Sequence, residues 1–198
     1  WESTASAVGQ RDTEQKCVRP SEINRFFGGL STNKWRCTYP TRVVGNVGLA
    51  GLPGQGAQLA GDADTVTLID IGTRPYRAVQ HLSVPSLPEG VAISPDGRWI
   101  AALTMDGSNL PAGNPGRRAH GRLVLFEIRG GGADPAGDLP AGEAGQGVVF
   151  SADSQYILAQ FNVERQLAVY AVGSGRLVDT GHRMPVAGGP SSLRSMPR

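Results

Sequence analysis

The stretch at residues 90–104 constrains the fold of this chain more than any other. Two apolar runs, Val91–Ile93 and Trp99–Leu103, flank the tetrapeptide Ser-Pro-Asp-Gly at 94–97. Proline presets the first central position of a tight turn, Asp can bond nearby amides, and Gly accepts the positive φ that closes the turn. Two β-rich runs around such a turn predict an antiparallel hairpin. The same arrangement returns at 147–161, so the hairpin is a repeated unit.

Other strand-like segments recur around the hairpins. Three similar runs, each followed by a glycine-bearing turn, are Val66–Ile71, Leu123–Ile128 and Leu167–Val172, with weaker strands at Arg77–Val84 and Arg176–Pro185. The hairpin copies lie 57 residues apart, whereas the second and third runs lie only 44 apart. The difference of 13 residues marks an insertion in the first copy, at 105–120. A period of about 44 residues with four short strands is typical of a β-propeller blade.

We therefore predict an all-β fold for residues 41–198, an incomplete β-propeller of four-stranded antiparallel blades. A content of 28 Gly, 14 Pro and 39% hydrophobic residues agrees with short strands and tight turns rather than helices. Residues 41–63 are rich in glycine and predict a loop with a weak strand. A two-layer sandwich also has strands at this spacing and stays open as the alternative, although a fixed period favours the propeller.

Residues 1–40 form a mixed N-terminal extension, polar at first and aromatic later. Ser21 could cap a short helix that ends at Gly28. Cys17 and Cys37 are the only cysteines, and one disulfide between them would close about twenty residues and stabilise the fold by about 3 kcal/mol. Two free thiols are the alternative. A disulfide would imply export to the periplasm or the extracellular space, and a cytoplasmic location stays open without one.

Segments 66–70 and 90–101 resemble the YVTN-type repeats of bacterial propellers, which are grouped with lactonase-like seven-bladed propellers. The resemblance extends over 64–195 and implies a partial propeller of the seven-bladed type. It also implies a hydrolase that opens a lactone or ester, such as a sugar lactone or an acyl-homoserine lactone. Seven blades need about 300 residues. We therefore expect a piece of a longer ring, or a homo-oligomer that covers the open sheet edges, which are an aggregation liability.

Glu89 and Gln146 occupy the same place in two successive repeats, one residue before the glycine that opens the first strand. In a propeller the first strand of each blade lines the central channel, so these two side chains should converge on it. Their oxygens could bind a hard divalent cation, with Ca²⁺ the best match. The resemblance also implies a metal in such a channel. The alternative is that they hydrogen-bond strand ends or channel water.

Polar loops after the second strands provide the candidate catalytic and substrate-binding residues. His120 ends the insertion, and beside Asp106 or Glu164 it could act as general base on the water that attacks a lactone carbonyl. A metal or Arg165 would stabilise the oxyanion. Alternatively His120 bonds loop backbone, and Glu164 with Arg165 forms a solvated turn. The candidate substrate-binding residues of these loops are Asn109 and Asn162.

Several function classes lack support in the sequence. A formal net charge of +2 is too small to indicate nucleic acid or an anionic membrane as partner, and no apolar run approaches a membrane span. Neither a Gly-x-Ser-x-Gly nucleophile motif nor a His-Glu-x-x-His or Cys-x-x-Cys zinc motif occurs. The functional hypothesis is thus a lactonase-like hydrolase. The alternatives are a non-catalytic propeller module that recognises protein or glycan, and a fragment without function.

Overall fold

The computed structural model describes residues 41–47, 63–72, 74–173 and 175–195, together with the backbone of short strands at 17–18, 36–37, 49–52 and 56–59. The chain divides into two compact units, Trp1–Tyr39 and Pro40–Arg198. In the first unit β1 (Cys17–Val18) pairs with β2 (Arg36–Cys37), and the register places the two cysteines opposite each other. The cysteine side chains and the region of the helix predicted at Ser21 fall outside what the structure describes, so the disulfide and the helix stay predictions.

The second unit is built from antiparallel sheets whose strands pair with their neighbours in the chain, except that β3 (Thr41–Asn46) pairs with β6 (Thr65–Asp70). The first sheet has the order β3, β6, β7 (Arg77–Ser83), and β4 (Leu49–Leu52) pairs with β5 (Gly56–Leu59) as a separate hairpin. The second sheet contains β8 (Pro88–Ile93), β9 (Trp99–Thr104), β10 (Arg122–Arg129) and β11 (Gly132–Pro140). The third contains β12 (Gly145–Phe150), β13 (Tyr156–Phe161), β14 (Gln166–Gly173) and β15 (Arg176–Pro185). This confirms the predicted all-β fold with four-stranded blades, a partial propeller.

The glycine-rich region 41–63 is more regular than predicted, because it contains β3 and a hairpin. Gly45 explains the discrepancy. A Cβ at this position would lie 2.6 Å from the carbonyl oxygen of Pro88, so only glycine lets β3 approach β8 so closely. The glycine that suggested a loop instead marks tight packing between two sheets.

The turn of the repeated hairpin is held by a serine and an aspartate. Gly97, at φ 73°, donates its N–H to the Ser94 carbonyl at 2.9 Å. Ser94 Oγ accepts from the Trp99 N–H at 2.8 Å and donates to Asp96 Oδ1 at 2.5 Å. The second copy repeats these bonds, since Ser151 Oγ accepts from the Tyr156 N–H at 2.9 Å and donates to Asp153 at 2.6 Å. The local chemistry of the turn therefore accounts for the repeat.

Two apolar clusters fill the spaces between neighbouring sheets. One lies between the first and second sheets and the other between the second and third. Polar contacts add to this packing. Both ends of the Gln80 amide bond the backbone of Ala133 on β11, at 2.9 and 2.7 Å, and the Asp96 N–H donates to Ser154 Oγ in the next hairpin turn at 3.1 Å. Neighbouring sheets are thus joined by hydrogen bonds as well as by burial.

Replacing the turn serine tests its role in stability. We expect Ser94→Ala to lower the free energy of unfolding by about 1–2 kcal/mol, because the buried Trp99 N–H loses its acceptor. Ser151→Ala is the matched variant, and it should cost less because Ser151 is only half-buried. Urea unfolding of both variants measures the difference. Equal effects would contradict the importance of burial at the first turn.

Alkaline pH offers a second test of the packing. Burial, with a smaller contribution from Asp179, raises the pKa of Tyr170 to about 12. The folded state therefore favours the neutral phenol. The contribution of this preference to the free energy of unfolding is complete below about pH 10, the ordinary tyrosine pKa, and is lost as pH rises toward 12. We expect wild type to lose about 2 kcal/mol more than Tyr170→Phe across this window. Urea titrations of both proteins at pH 9 and 11.5 measure this difference. An equal loss of unfolding free energy in the two proteins would contradict the raised pKa of Tyr170.

Candidate functional site

The two predicted channel residues lie on β-bulges at equivalent positions of two inner strands. In β8 the pairing with β9 shifts between Pro88 and Gly90, which leaves Glu89 as the extra residue. In β12 the pairing with β13 shifts in the same way between Gly145 and Gly147, and Gln146 is the extra residue. A bulge re-aims the side chain it carries, and bulges are common beside functional sites. The residue before the glycine in each repeat is therefore the bulged residue of the inner strand.

Glycines after the bulges bring successive inner strands together. A Cβ at Gly90 would lie 2.9 Å from the Gln146 carbonyl oxygen, and one at Gly147 would lie 2.7 Å from the Leu193 nitrogen. Residues 191–195 therefore lie against β12 as β12 lies against β8. This segment thus occupies an inner-strand position, although it has no strand hydrogen bonding of its own.

A groove of about 350 Å³ runs along these inner strands. Glu89 and Arg194 are exposed and bring one negative and one positive charge to its lining, and Gln146 between them is half-buried. The remaining lining is backbone and small or aliphatic side chains of β8, β12 and the segment 193–195. Such a groove can bind a small ligand whose polar groups meet a carboxylate, an amide and a guanidinium.

The groove does not fit the predicted calcium site. Ca²⁺ takes six to eight oxygens, several of them from carboxylates. Glu89 brings the only carboxylate to the groove lining, and within the described ranges no group of three or more His, Cys, Asp and Glu residues could hold a metal ion. We therefore assign no step of the chemistry to a metal, and the predicted roles of Glu89 and Gln146 as ligands stay untested.

Three of the predicted loop residues have structural partners. Asp106 lies 3.5 Å from the Arg118 guanidinium, Glu164 accepts the backbone N–H of Glu143 at 2.8 Å, and Asn162 donates to the Pro190 carbonyl at 3.2 Å. The hydrogen bond from Arg122 to Asp138 is the main cause that raises the pKa of Arg122, and Asp106 adds to it electrostatically.

The other predicted loop residues are exposed. His120 and Asn109 lie at the surface of the 105–121 loop, and Arg165 lies in the turn between β13 and β14 at φ 53°. No hydrogen bond in the described part of the chain joins His120 to Asp106 or Glu164. The structure therefore brings Glu89 and Gln146 to one groove, whereas the proposed His120 dyads are not hydrogen-bonded.

Two arginines that line the groove or hold the long loop were not predicted from the sequence. Arg194 reaches the groove from the segment 193–195, where no site was predicted. Arg117 fixes the 105–121 loop, because its guanidinium donates to the carbonyls of Ser108 at 2.7 Å and Leu110 at 2.6 Å and pairs with Glu143 at 2.7 Å. Nothing in the spacing of the sequence marks either arginine.

No protein-family model matches the sequence, and no curated protein does. Solved structures do match. A candidate 6-phosphogluconolactonase from Bacteroides fragilis has a TM-score of 0.52 at 17% identity over 66% of this chain and 35% of its own. A second, from Bacteroides uniformis, has a TM-score of 0.51 at 17% identity over 63% of this chain and 35% of its own. Hydrazine synthase from Kuenenia stuttgartiensis has a TM-score of 0.53 at 20% identity over 77% of this chain and 49% of its own.

These neighbours share the fold with this chain, and their identities are too low to carry more. Enzymes with different names match at similar TM-scores, as expected for an architecture that hosts unrelated activities. The chain spans about a third of the two Bacteroides proteins and about half of the hydrazine synthase chain. The comparisons thus support the propeller assignment and leave the YVTN family a prediction.

The Arg117 contacts predict how the long loop responds to mutation. We expect Arg117→Ala to speed limited proteolysis within 109–118 by about tenfold, because three anchoring contacts are lost. Arg118→Ala is the matched control, since that side chain is largely exposed and makes only the 3.5 Å contact with Asp106. Cleavage can be followed by mass spectrometry. Equal cleavage rates in the two variants would show that Arg117 does not hold the loop.

Proposed function

We propose that the propeller formed by these blades hydrolyses a small lactone, bound in the groove along the inner strands. The observation that carries the proposal is the pair of bulges that aligns Glu89 and Gln146 at one groove. The groove volume of about 350 Å³ lies within the range of small-molecule sites. Two structural neighbours named as candidate 6-phosphogluconolactonases support the substrate class.

The reaction needs a base and donors for the developing charge. In this proposal the Glu89 carboxylate accepts a proton from water while the water oxygen bonds to the lactone carbonyl carbon. The carbonyl oxygen becomes an oxyanion, which the Gln146 amide and the Arg194 guanidinium stabilise by donating hydrogen bonds. Collapse of this intermediate breaks the bond to the ring oxygen. That oxygen leaves with the proton from Glu89 and becomes the hydroxyl of the opened acid.

The loop residues give an alternative assignment of the base. In it His120 takes the proton from water beside Asp106 or Glu164, and Arg165 stabilises the oxyanion. Asn109 and Asn162 then bind the substrate. The Glu89 assignment is better supported, because Asp106 and Glu164 already have partners and Glu89 lies at the groove.

Lactone hydrolysis in a pH-stat tests the proposal and separates the two bases. With a sugar δ-lactone and an acyl-homoserine lactone as substrates, we expect Glu89→Gln to lower kcat/KM by about 100-fold or more. His120→Ala and the control Asp134→Asn, an exposed carboxylate on the outer strand β11, should leave it unchanged. Loss of activity in His120→Ala alone would transfer the base role to the loop. A wild type that opens neither lactone would overturn the proposal.

A chelation arm tests the predicted cation separately. Activity that survives EDTA supports the mechanism without a metal. Activity that is lost with EDTA and restored by Ca²⁺ would contradict it and support Glu89 and Gln146 as ligands.

A further inference from the structure

The backbone just before each bulged residue lies in the left-handed region. Leu87, two residues before Glu89, has φ 59°, and Ala144, two residues before Gln146, has φ 50°. Neither residue is glycine, so two successive repeats keep at the same point a conformation that side chains disfavour. Such a backbone persists only where the surrounding structure holds it. The contacts of Leu87 and Ala144 therefore bear on the direction in which Glu89 and Gln146 leave the chain.

A side-chain oxygen from another part of the chain accepts the backbone N–H of each left-handed residue. The N–H of Leu87 donates to Asp64 Oδ2 at 3.2 Å, and the N–H of Ala144 donates to Ser108 Oγ at 3.1 Å. Both bonds are partly buried, and Ser108 is only 1% exposed. The two repeats thus share the donor and differ in the acceptor, which is a carboxylate in one and a hydroxyl in the other.

The repeat explains why the acceptors differ. The carbonyl of Asp64 accepts the N–H of Val84 at 3.1 Å, and the matching bond one blade later runs from the N–H of Ala141 to the carbonyl of Gly121 at 2.8 Å. Gly121 is therefore the counterpart of Asp64, and it has no side chain. A Cβ at Gly121 would lie 2.4 Å from the carbonyl oxygen of Thr104, so this position cannot provide an acceptor.

The insertion in the second blade supplies the missing acceptor. Ser108 lies in the 105–121 loop, where its carbonyl accepts the Arg117 guanidinium at 2.7 Å while its hydroxyl accepts the N–H of Ala144. Arg117 also pairs at 2.7 Å with Glu143, the residue directly before Ala144. The loop that makes the two repeats unequal in length is therefore bonded to the backbone that leads into β12.

The third blade uses yet another side chain for the same purpose. Asn162 Nδ2 donates to the carbonyl of Pro190 at 3.2 Å, and a Cβ at Gly189 would lie 2.8 Å from the same nitrogen. The N–H of Val186 donates to the carbonyl of Arg165 at 2.9 Å, which repeats the carbonyl bond of the first two blades. The connection before the third strand of a blade thus holds the backbone that leads into the next inner position, with a different side chain each time.

We propose that Asp64 and Ser108 are positioning residues of the groove, Asp64 for Glu89 and Ser108 for Gln146. The inference rests on the proposed function of the two bulged residues and adds to it, because neither Asp64 nor Ser108 is among the residues that line the groove. Each acts by holding the left-handed backbone that aims one bulged side chain. A base or an oxyanion donor that is displaced by about 1 Å loses much of its effect on the rate.

Amide hydrogen exchange tests whether the two side chains hold the backbone, with no need for activity. We expect Ser108→Ala to speed exchange at 143–146 by about fivefold and to leave 86–89 unchanged, because one hydrogen bond to the first segment is lost. Asp64→Ala should do the reverse. Ser108→Cys keeps the volume but offers only a weak acceptor, so it should act in the same direction as Ser108→Ala without a cavity.

Ser154→Ala is the matched control for exchange. Ser154 is 2% exposed, and its hydroxyl accepts the N–H of Asp96 at 3.1 Å, but it lies in the turn at the other end of β12. This variant should leave exchange at 143–146 unchanged. Unchanged exchange at 143–146 in both Ser108 variants, or an equal increase in Ser154→Ala, would overturn the proposal.

Kinetics with the sugar δ-lactone test what the positioning does. We expect Ser108→Ala to lower kcat by about tenfold with little change in KM, because an oxyanion donor acts in the transition state. In a Gln146→Ala background, Ser108→Ala should have no further effect, whereas Asp64→Ala should lower kcat as much as it does in wild type. Asp64→Asn keeps an acceptor oxygen and should retain more activity than Asp64→Ala.

The outcomes separate this inference from the proposed function. An active wild type in which Ser108→Ala and Gln146→Ala lower kcat independently would overturn the positioning role of Ser108 and leave the lactone chemistry intact. A wild type that opens neither lactone would overturn the proposed function, and the exchange experiment would still decide whether Asp64 and Ser108 hold the bulged residues.

Discussion

The propeller unit depends on how closely strands of neighbouring sheets approach one another. At Gly45, Gly90 and Gly147 a Cβ would meet neighbouring backbone at 2.6 to 2.9 Å, a distance that no side chain can occupy. Glycine is needed at these points for the absence of a side chain, rather than for flexibility. The approach sets the spacing of the sheets, and the apolar clusters fill the volume that remains. The groove exists because the same strands converge.

The sequence predicted the repeated blade well, because its signal is local. The turn residues at 94–97 and 151–154 hold their hairpins through bonds that span at most five residues, and the strands beside them are apolar. Prediction failed where a strand owes its conformation to its neighbours. Strand β11 contains two prolines and few β-forming residues, yet it pairs along the edge of β10 and is tied to the first sheet through Gln80. No local propensity indicates it.

The candidate site was predictable only in part, for the same reason. Glu89 and Gln146 could be found because they share a position within a repeat. The contacts of Asp106 and Glu164 come from other loops, and those of Arg117 connect residues up to 26 positions apart, which no spacing rule anticipates. The hydrogen bond from Ala144 to Ser108 spans 36 positions and is visible only in three dimensions.

The bulges at the start of the inner strands have a consequence for how such a site can change in evolution. A paired residue must hydrogen-bond its partner strand, and its side chain must fit the face of the sheet. The bulged residue is outside the pairing and is free of both requirements. Glu89 and Gln146 already differ in charge while the glycines after them are the same. Each blade can therefore present a different chemical group to the groove without altering its own pairing, so the chemistry of the groove lining and the fold are determined by separate residues.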